Sequence, residues 1–291
     1  MSTVAVVVHA RKSFGGGLRG LREVLEREDV TDPLWYEVKK SRHAPRCARR
    51  TAAEGADLIF VWGCDGTVQR CVDALAGTGV VIAILPAGTA NLLATNLQVP
   101  DDLTGAVRVG LHGNRREVDT GSVNGEHFAV MAGAGFDARM IAAANRAMKD
   151  RLGRAAYLYT AVRSLFAPPV TATVEVDGRR FFVGRVSMVL AAHVGTILGG
   201  VEVLTAAKPD DGLLELCVVT ARNPVEWVRV FGRAALRSAE RSPFVETTRG
   251  RSFQVRIHRK LPYELDGGIR PPARDLRIDV HPRSVTICVP A

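Results

Sequence analysis

Four short apolar runs, each followed by a longer amphipathic segment, set the pattern of the N-terminal part of the chain: VAVVV (4–8), LWYEV (34–38), DLIFVW (57–62) and VVIAIL (80–85). Such runs offer no polar face to water. As strands they belong in a parallel sheet covered on both sides, and the segments between them can supply the cover. GGLRGLREVLERE sets Leu18, Leu21 and Leu25 at helical spacing, a basic, alanine-rich segment runs to Gly55, and TVQRCVDALAG places Val68, Cys71, Val72 and Leu75 on one helical face. A doubly wound, parallel-sheet α/β domain is expected over residues 1–118.

The pattern then changes. REVDTGSVNGEHFAVMAGAG and VTATVEVDGRRFFVGRVSMVLAAHV read as hairpins turning at Asn124-Gly125 and Asp177-Gly178. Further short strands follow at LLELCVV, FQVRIH, PYEL, LRIDV and SVTICV, interrupted by helical stretches over 136–166 and 224–239. Residues 119–283 are therefore expected to form an antiparallel β-sandwich with helical insertions. The fold class is two-domain, α/β followed by a β-rich half.

Composition narrows the function classes. An apolar fraction of 47% and a charged fraction of 24% are those of an ordinary globular protein. No run of about eighteen apolar residues occurs, so no bilayer-spanning helix is expected. MSTVAVVVHARKS lacks the charge and cleavage pattern of a signal peptide, and the protein reads as cytoplasmic. The 5 cysteines are scattered, with no C-x-x-C pair, which points to reduced thiols rather than disulfides or zinc. Net charge +9 favours an anionic partner: nucleotide phosphates, acidic lipid headgroups or nucleic acid. Dispersed basic residues, only 6% aromatics and no recognition motif argue against nucleic acid.

In an open parallel sheet, ligands bind beyond the carboxyl ends of the strands. There, GCDGT and PAGT each open a helix with a threonine near its N-cap. Glycine-rich turns at helix N-termini aim backbone N–H groups at anions, and two adjacent loops of this kind can hold a polyphosphate. HARKSFGGG is a third such loop, with Lys12 and Ser13 beside three glycines. Neither the P-loop pattern nor the dinucleotide fingerprint is present. Asp65 stands among amides that would bind phosphate, where an anion would repel it. A carboxylate is useful there if it holds Mg2+ on the phosphates or takes a proton from an attacking hydroxyl, and both roles belong to phosphoryl transfer.

These residues resemble the diacylglycerol kinase catalytic domain shared by bacterial lipid kinases and sphingosine kinases, which is distantly related to NAD kinases. The family's G-G-D-G-T is matched by Gly63, Cys64, Asp65, Gly66 and Thr67, and its P-x-G-T-x-N by Pro86, Ala87, Gly88, Thr89, Ala90 and Asn91. DTGSVNGEHFAVMAGAGFDA, KPDDGLLELCVV and YELDGG are similar to later family segments, in order along the chain. The resemblance implies a nucleotide-binding α/β domain joined by a returning last strand (284–291), then a β-rich lipid-substrate domain. The implied reaction moves the ATP γ-phosphate to a lipid hydroxyl. Carried over by position, Gly63, Asp65, Gly66, Thr67, Gly88 and Thr89 would contact ATP, with Lys12 beside them, and Asp65 would activate the hydroxyl or hold the catalytic Mg2+. Asp211 would hold a structural Mg2+ with backbone carbonyls near Lys208 and Leu213.

The chain also departs from the family pattern. His9 replaces an asparagine and reads as an unligated loop histidine. Gln69 and Arg70 replace N-E, Leu92 replaces an aspartate, and Cys64 replaces a glycine, which strains the loop if its backbone needs positive φ. Gly268 stands where the family carries a catalytic glutamate, and glycine can take no proton, so Asp266 or Glu264 is expected to substitute. The alternative is a degenerate kinase that binds nucleotide and lipid as a regulatory protein. The basic, aromatic-bearing stretch 145–166 is expected to meet the membrane surface as a peripheral contact.

Overall fold

The apolar runs become four parallel strands: β1 (Val4–His9), β2 (Leu34–Val38), β3 (Leu58–Gly63) and β4 (Val81–Pro86). The computed structural model describes residues 3–135, 167–195, 204–236 and 238–291. The chain divides into two units, Met1–Thr120 with Pro282–Ala291, and Gly121–His281.

In the first unit the strands lie in the order β2-β1-β3-β4, with Val6 opposite Phe60 and Val61 opposite Ile84. The end of the long strand β14 (Gly268–Val289) adds beside β4 in parallel, Thr286 opposite Val81. Every residue of β3 is buried, and Ile59, Phe60, Val61 and Trp62 are 0% exposed. Each such side chain contributes on the order of 1.5–3 kcal/mol relative to exposure. The cover comes from α1 (Gly17–Arg27), α2 (Ala44–Ala53), α3 (Asp65–Leu75), α4 (Leu92–Asn96) and α5 (Leu103–His112), with α2 packed on α3 and α1 on α5.

The second unit is antiparallel. The hairpin of β5 (Asn114–Val123) and β6 (Glu126–Phe128) turns at Asn124-Gly125, and that of β8 (Val170–Val176) and β9 (Arg179–Val186) at Asp177-Gly178, with positive φ at all four turn residues. That conformation matches strand twist in two-residue hairpins, and Asn, Asp and Gly tolerate it. A ladder runs β12 (Val245–Gly250), β11 (Leu214–Val219), β10 (Met188–Ala192), β7 (Met131–Gly135), β13 (Ser252–Leu265), β14. The first half of β13 pairs with β8, Val255 opposite Val174, and its second half with β7, Glu264 opposite Gly133. Phe128, Val174, Leu216, Phe253 and Ile278 belong to one hydrophobic cluster drawn from these ladders.

Three expectations change. FQVRIH and PYEL form the single strand β13, because a register shift between Arg256 and Leu261 lets the chain bend without ending. LRIDV and SVTICV are likewise one strand, β14. The helix from Pro224, α6 (Pro224–Ala235), stops short of 239, where a 3-10 turn over Ala239–Arg241 follows. The expected helices over 136–166, with the expected membrane stretch 145–166, lie outside the described residues.

Candidate active site

The carboxyl ends of β1, β3 and β4 bring three loops together. Lys12 N donates to His9 O at 2.9 Å, and the Trp62 indole reaches across to Lys12 O at 3.3 Å, with Phe14 edge-on to the same ring at 5.7 Å. Ala87 N donates to Gly63 O at 3.0 Å, which ties the β4 loop to the end of β3. A fourth segment joins after β2: Ser41 Oγ lies 2.9 Å from Thr67 Oγ1. Ser41 and Trp62 carry no motif of their own, so only folding reveals them.

Asp65 is the link between loops. It sits at the first turn of α3, and its carboxylate accepts Asn91 N at 3.1 Å and Leu92 N at 2.5 Å, two N–H groups at the start of α4. Burial pushes its carboxyl above the usual carboxylate range, opposed by those amides and by the positive charge of Lys12. The sequence marks Asp65 as chemically useful; the structure adds that it fastens one phosphate-type loop to the other.

The N-cap positions near those threonines are held by Cys64 for α3 and by Asn91, at φ 46, for α4, neither with a capping side-chain hydrogen bond. Thr67 is fully buried, and Thr89 is exposed at the loop tip. The Gly88 N–H is taken by Asn91 Oδ1 at 2.9 Å, and Asn91 Nδ2 returns to Gly88 O at 3.2 Å, so this pair closes the loop on itself. Close approach explains two glycines. A Cβ on Gly63 would lie 2.5 Å from Thr67 Cβ, and one on Gly88 would lie 2.7 Å from Cys64 Cβ. Cys64 itself has φ −88 and ψ 174, ordinary extended backbone. The expected strain at Cys64 is therefore absent, because the residue lies in a region open to any L-amino acid. His9 is 8% exposed and its Nδ1 accepts Arg11 N at 3.3 Å, while burial lowers its imidazole pKa. It shapes its own loop as a neutral ring.

In the second unit, Asp266 and Gly267 form a third positive-φ hairpin turn, between β13 and β14. The Asp266 carboxylate is 2% exposed and accepts three backbone N–H groups, from Ala129, Val130 and Met131, at 2.9, 2.9 and 2.8 Å. With this carboxylate sealed from solvent as well as held by three amides, a substrate hydroxyl has no approach to it, which fits a structural clamp rather than a base. Glu264 is equally buried and takes Gly267 N at 2.7 Å. Gly268 borders Arg270, whose Nη1 would lie 2.7 Å from a Cβ at 268 and donates to Gly268 O at 2.8 Å. Arg270 in turn is held by both carboxylate oxygens of Glu126.

Asp211, the expected Mg2+ ligand, is paired within its own unit. The Arg249 guanidinium lies on one of its oxygens, and Leu213 N donates to the other at 3.1 Å.

The sequence matches the family model of the diacylglycerol kinase catalytic domain over residues 5–123, and that of the YegS C-terminal NAD kinase beta sandwich-like domain over residues 130–289. It is 27% identical to a diacylglycerol kinase of Bacillus subtilis over 80% of this chain and 79% of that one. It is 30% identical to the "Probable lipid kinase YegS-like" of Pseudomonas putida over 90% and 88%. A diacylglycerol kinase structure from Bacillus anthracis shares the fold, with a TM-score of 0.78, 21% identity and coverage of 99% and 97%. So, more distantly, does an NAD kinase from Archaeoglobus fulgidus crystallised with ATP, with a TM-score of 0.54, 13% identity and coverage of 98% and 93%. The two family models together span the loops around Asp65 and the hairpin at Asp266, and the chain belongs to the diacylglycerol kinase catalytic domain family.

Proposed function

We propose that the protein is an ATP- and Mg2+-dependent lipid kinase that moves the ATP γ-phosphate to a lipid hydroxyl. The observation that carries this reading is the convergence on Asp65 of the loops after β1, β3 and β4, with the Lys12 charge acting on the same carboxylate. Kinase relatives across the chain support it. ATP enters as substrate with its Mg2+, whose charge offsets the repulsion between phosphates and carboxylate. The lipid oxygen attacks the γ-phosphorus, the bond to the β-phosphate oxygen breaks, ADP leaves, and the hydroxyl proton passes to Asp65. A raised carboxyl pKa makes Asp65 a better proton acceptor than an exposed aspartate. Lys12 and the exposed Thr89 contact the phosphates, and Gly66, with open space where a Cβ would stand, admits them close to the backbone. Asp266 positions the 129–131 segment, and no step runs through Asp211. Such an enzyme works at a membrane face without crossing it; no helix among the described residues is long and apolar enough to span a bilayer.

The test is transfer of labelled phosphate from ATP into a lipid extract, comparing the native protein with Asp65→Asn. Labelled lipid from the native protein and a loss of at least about a hundredfold in the variant are expected for removal of a proton acceptor. Equal background labelling in both would favour instead the nucleotide-binding regulatory protein that Gly268 raises.

A further inference from the structure

Residues 39–50, KKSRHAPRCARR, carry Lys39, Lys40, Arg42, Arg46, Arg49 and Arg50 with no carboxylate between them. They leave β2, the edge strand of the first unit's sheet, pass through a 3-10 turn at Ser41–His43 and enter α2. Folding gathers most of these cations around one open cleft of about 620 Å³, lined among others by Tyr36, Lys39, Lys40, Arg42, Arg46 and Arg50. No residue of the three glycine-rich loops lines it.

The neighbouring carboxylates are already engaged. Glu37 accepts the Trp35 indole at 2.8 Å and lies 4.0 Å from Arg22. Glu54 accepts Arg50 at 2.9 Å and also the Tyr36 hydroxyl. Arg42 donates to His43 Nε2 at 3.1 Å, which leaves the guanidinium charge without a counter-charge. Among the described residues no carboxylate pairs with Lys39, Lys40, Arg42 or Arg46. Crowded like charges weigh against the folded state until an anion arrives.

We propose that this cleft docks the protein on an anionic membrane surface by taking phospholipid headgroups of net negative charge. The cations are exposed, on long flexible side chains, which suits a laterally mobile array of headgroups. Single-stranded nucleic acid would need open aromatic faces for base stacking. Here the Arg22 guanidinium covers Trp35 at 3.8 Å and Arg50 lies over Tyr36 at 5.2 Å. No exposed large apolar side chain belongs to the cleft, so the contact is electrostatic, shallow and reversed by salt. The choice of a membrane rests on the lipid-kinase reading. The binding is measured without ATP, so its failure leaves the phosphotransfer reading standing.

The experiment is sedimentation with phosphatidylcholine vesicles, with and without one-third phosphatidylglycerol, at low and high salt. The wild type is compared with K39E/K40E/R42E/R46E and with R179E/R180E/R259E/K260E, an equal charge change at exposed residues of the second unit. Each Lys or Arg near an anionic surface is worth roughly fivefold in affinity, so the cleft variant should bind at least about a hundredfold more weakly, with the control within about tenfold of wild type. Matching losses in both variants would show a net-charge effect and overturn the proposal. So would wild-type binding to neutral vesicles, absence of binding to anionic ones, displacement of vesicles by glycerol 3-phosphate at millimolar level, or tighter binding to duplex DNA. Circular dichroism melts verify folding, and K39Q/R42Q repeats the comparison if the quadruple variant melts early.

Discussion

Asp266→Asn separates a clamp from a base. In the structure, Asp266 Oδ1 takes the N–H groups of Val130 and Met131, and Oδ2 that of Ala129, all three residues being buried. Asparagine with its oxygen at the Oδ1 position keeps two of these bonds. It turns the third into an NH2 group facing the Ala129 N–H, donor against donor. Losing one bond to a charged acceptor costs about 1.5–3 kcal/mol, and leaving a buried amide unsatisfied raises the total to about 2–4 kcal/mol. For a unit of this size each kcal/mol lowers the midpoint by about 2–4 °C, so a fall of roughly 5–15 °C is expected. Asp266→Ala strips both acceptor oxygens and with them all three bonds, and should cost about 5 kcal/mol or more, enough to unfold the unit if its stability is ordinary. The assay is thermal and urea unfolding by circular dichroism, read beside lipid phosphorylation below the lowered midpoint. The clamp reading expects destabilisation in proportion to the bonds lost, with turnover largely kept by the folded fraction. A variant with native melting and abolished turnover would refute it and make Asp266 a participant in proton transfer.

Gly63→Ala should cost about 1–3 kcal/mol and weaken ATP binding, because its Cβ falls 2.5 Å from Thr67 Cβ at the end of a buried strand. Isothermal titration with an ATP analogue checks this, and adding Thr67→Gly should restore binding where Thr67→Ala, which keeps the Cβ, should not. Arg249→Gln should release Asp211 at a cost of about 1 kcal/mol, since both partners are partly exposed. Thermal shifts with and without Mg2+ should then show a metal effect in the variant larger than in the wild type. Asp65 has a folded pKa above its unfolded value, so its ionisation weighs against folding; that part of stability is fully present below the unfolded pKa and is lost as pH rises through the folded one. Activity follows the opposite course, falling as acid protonates the carboxylate above the pH of an ordinary aspartate. Melting and phosphorylation profiles on the native protein and Asp65→Asn measure both, and the variant should lose this contribution to the pH dependence of melting.

The parallel sheet was legible because VAVVV, DLIFVW and VVIAIL have no polar face, and a chain with such strands must bury both sides; the strand order β2-β1-β3-β4 was not. Asn-Gly and Asp-Gly located two hairpins by the same local logic, since few residues accept positive φ in succession. The third, Asp266-Gly267, carries the same signal inside YELDGG, where the Asp266 carboxylate also matches a catalytic motif. Local sequence also placed Asp65 on a phosphate-type loop and named its use. What it could not hold were distances between segments far apart in the chain. Only tertiary structure brought the Asp65 carboxylate onto the start of α4, gave Asp266 three amides from 129–131, and set the Arg249 guanidinium on Asp211. Cys64 falls on the same side of the line: its identity departs from the motif, but whether that matters depended on φ, which only the folded backbone gives. Residue type determined which groups could bind phosphate or take a proton. The fold determined which of them were left exposed to do so, because burial and backbone hydrogen bonds had already claimed the rest.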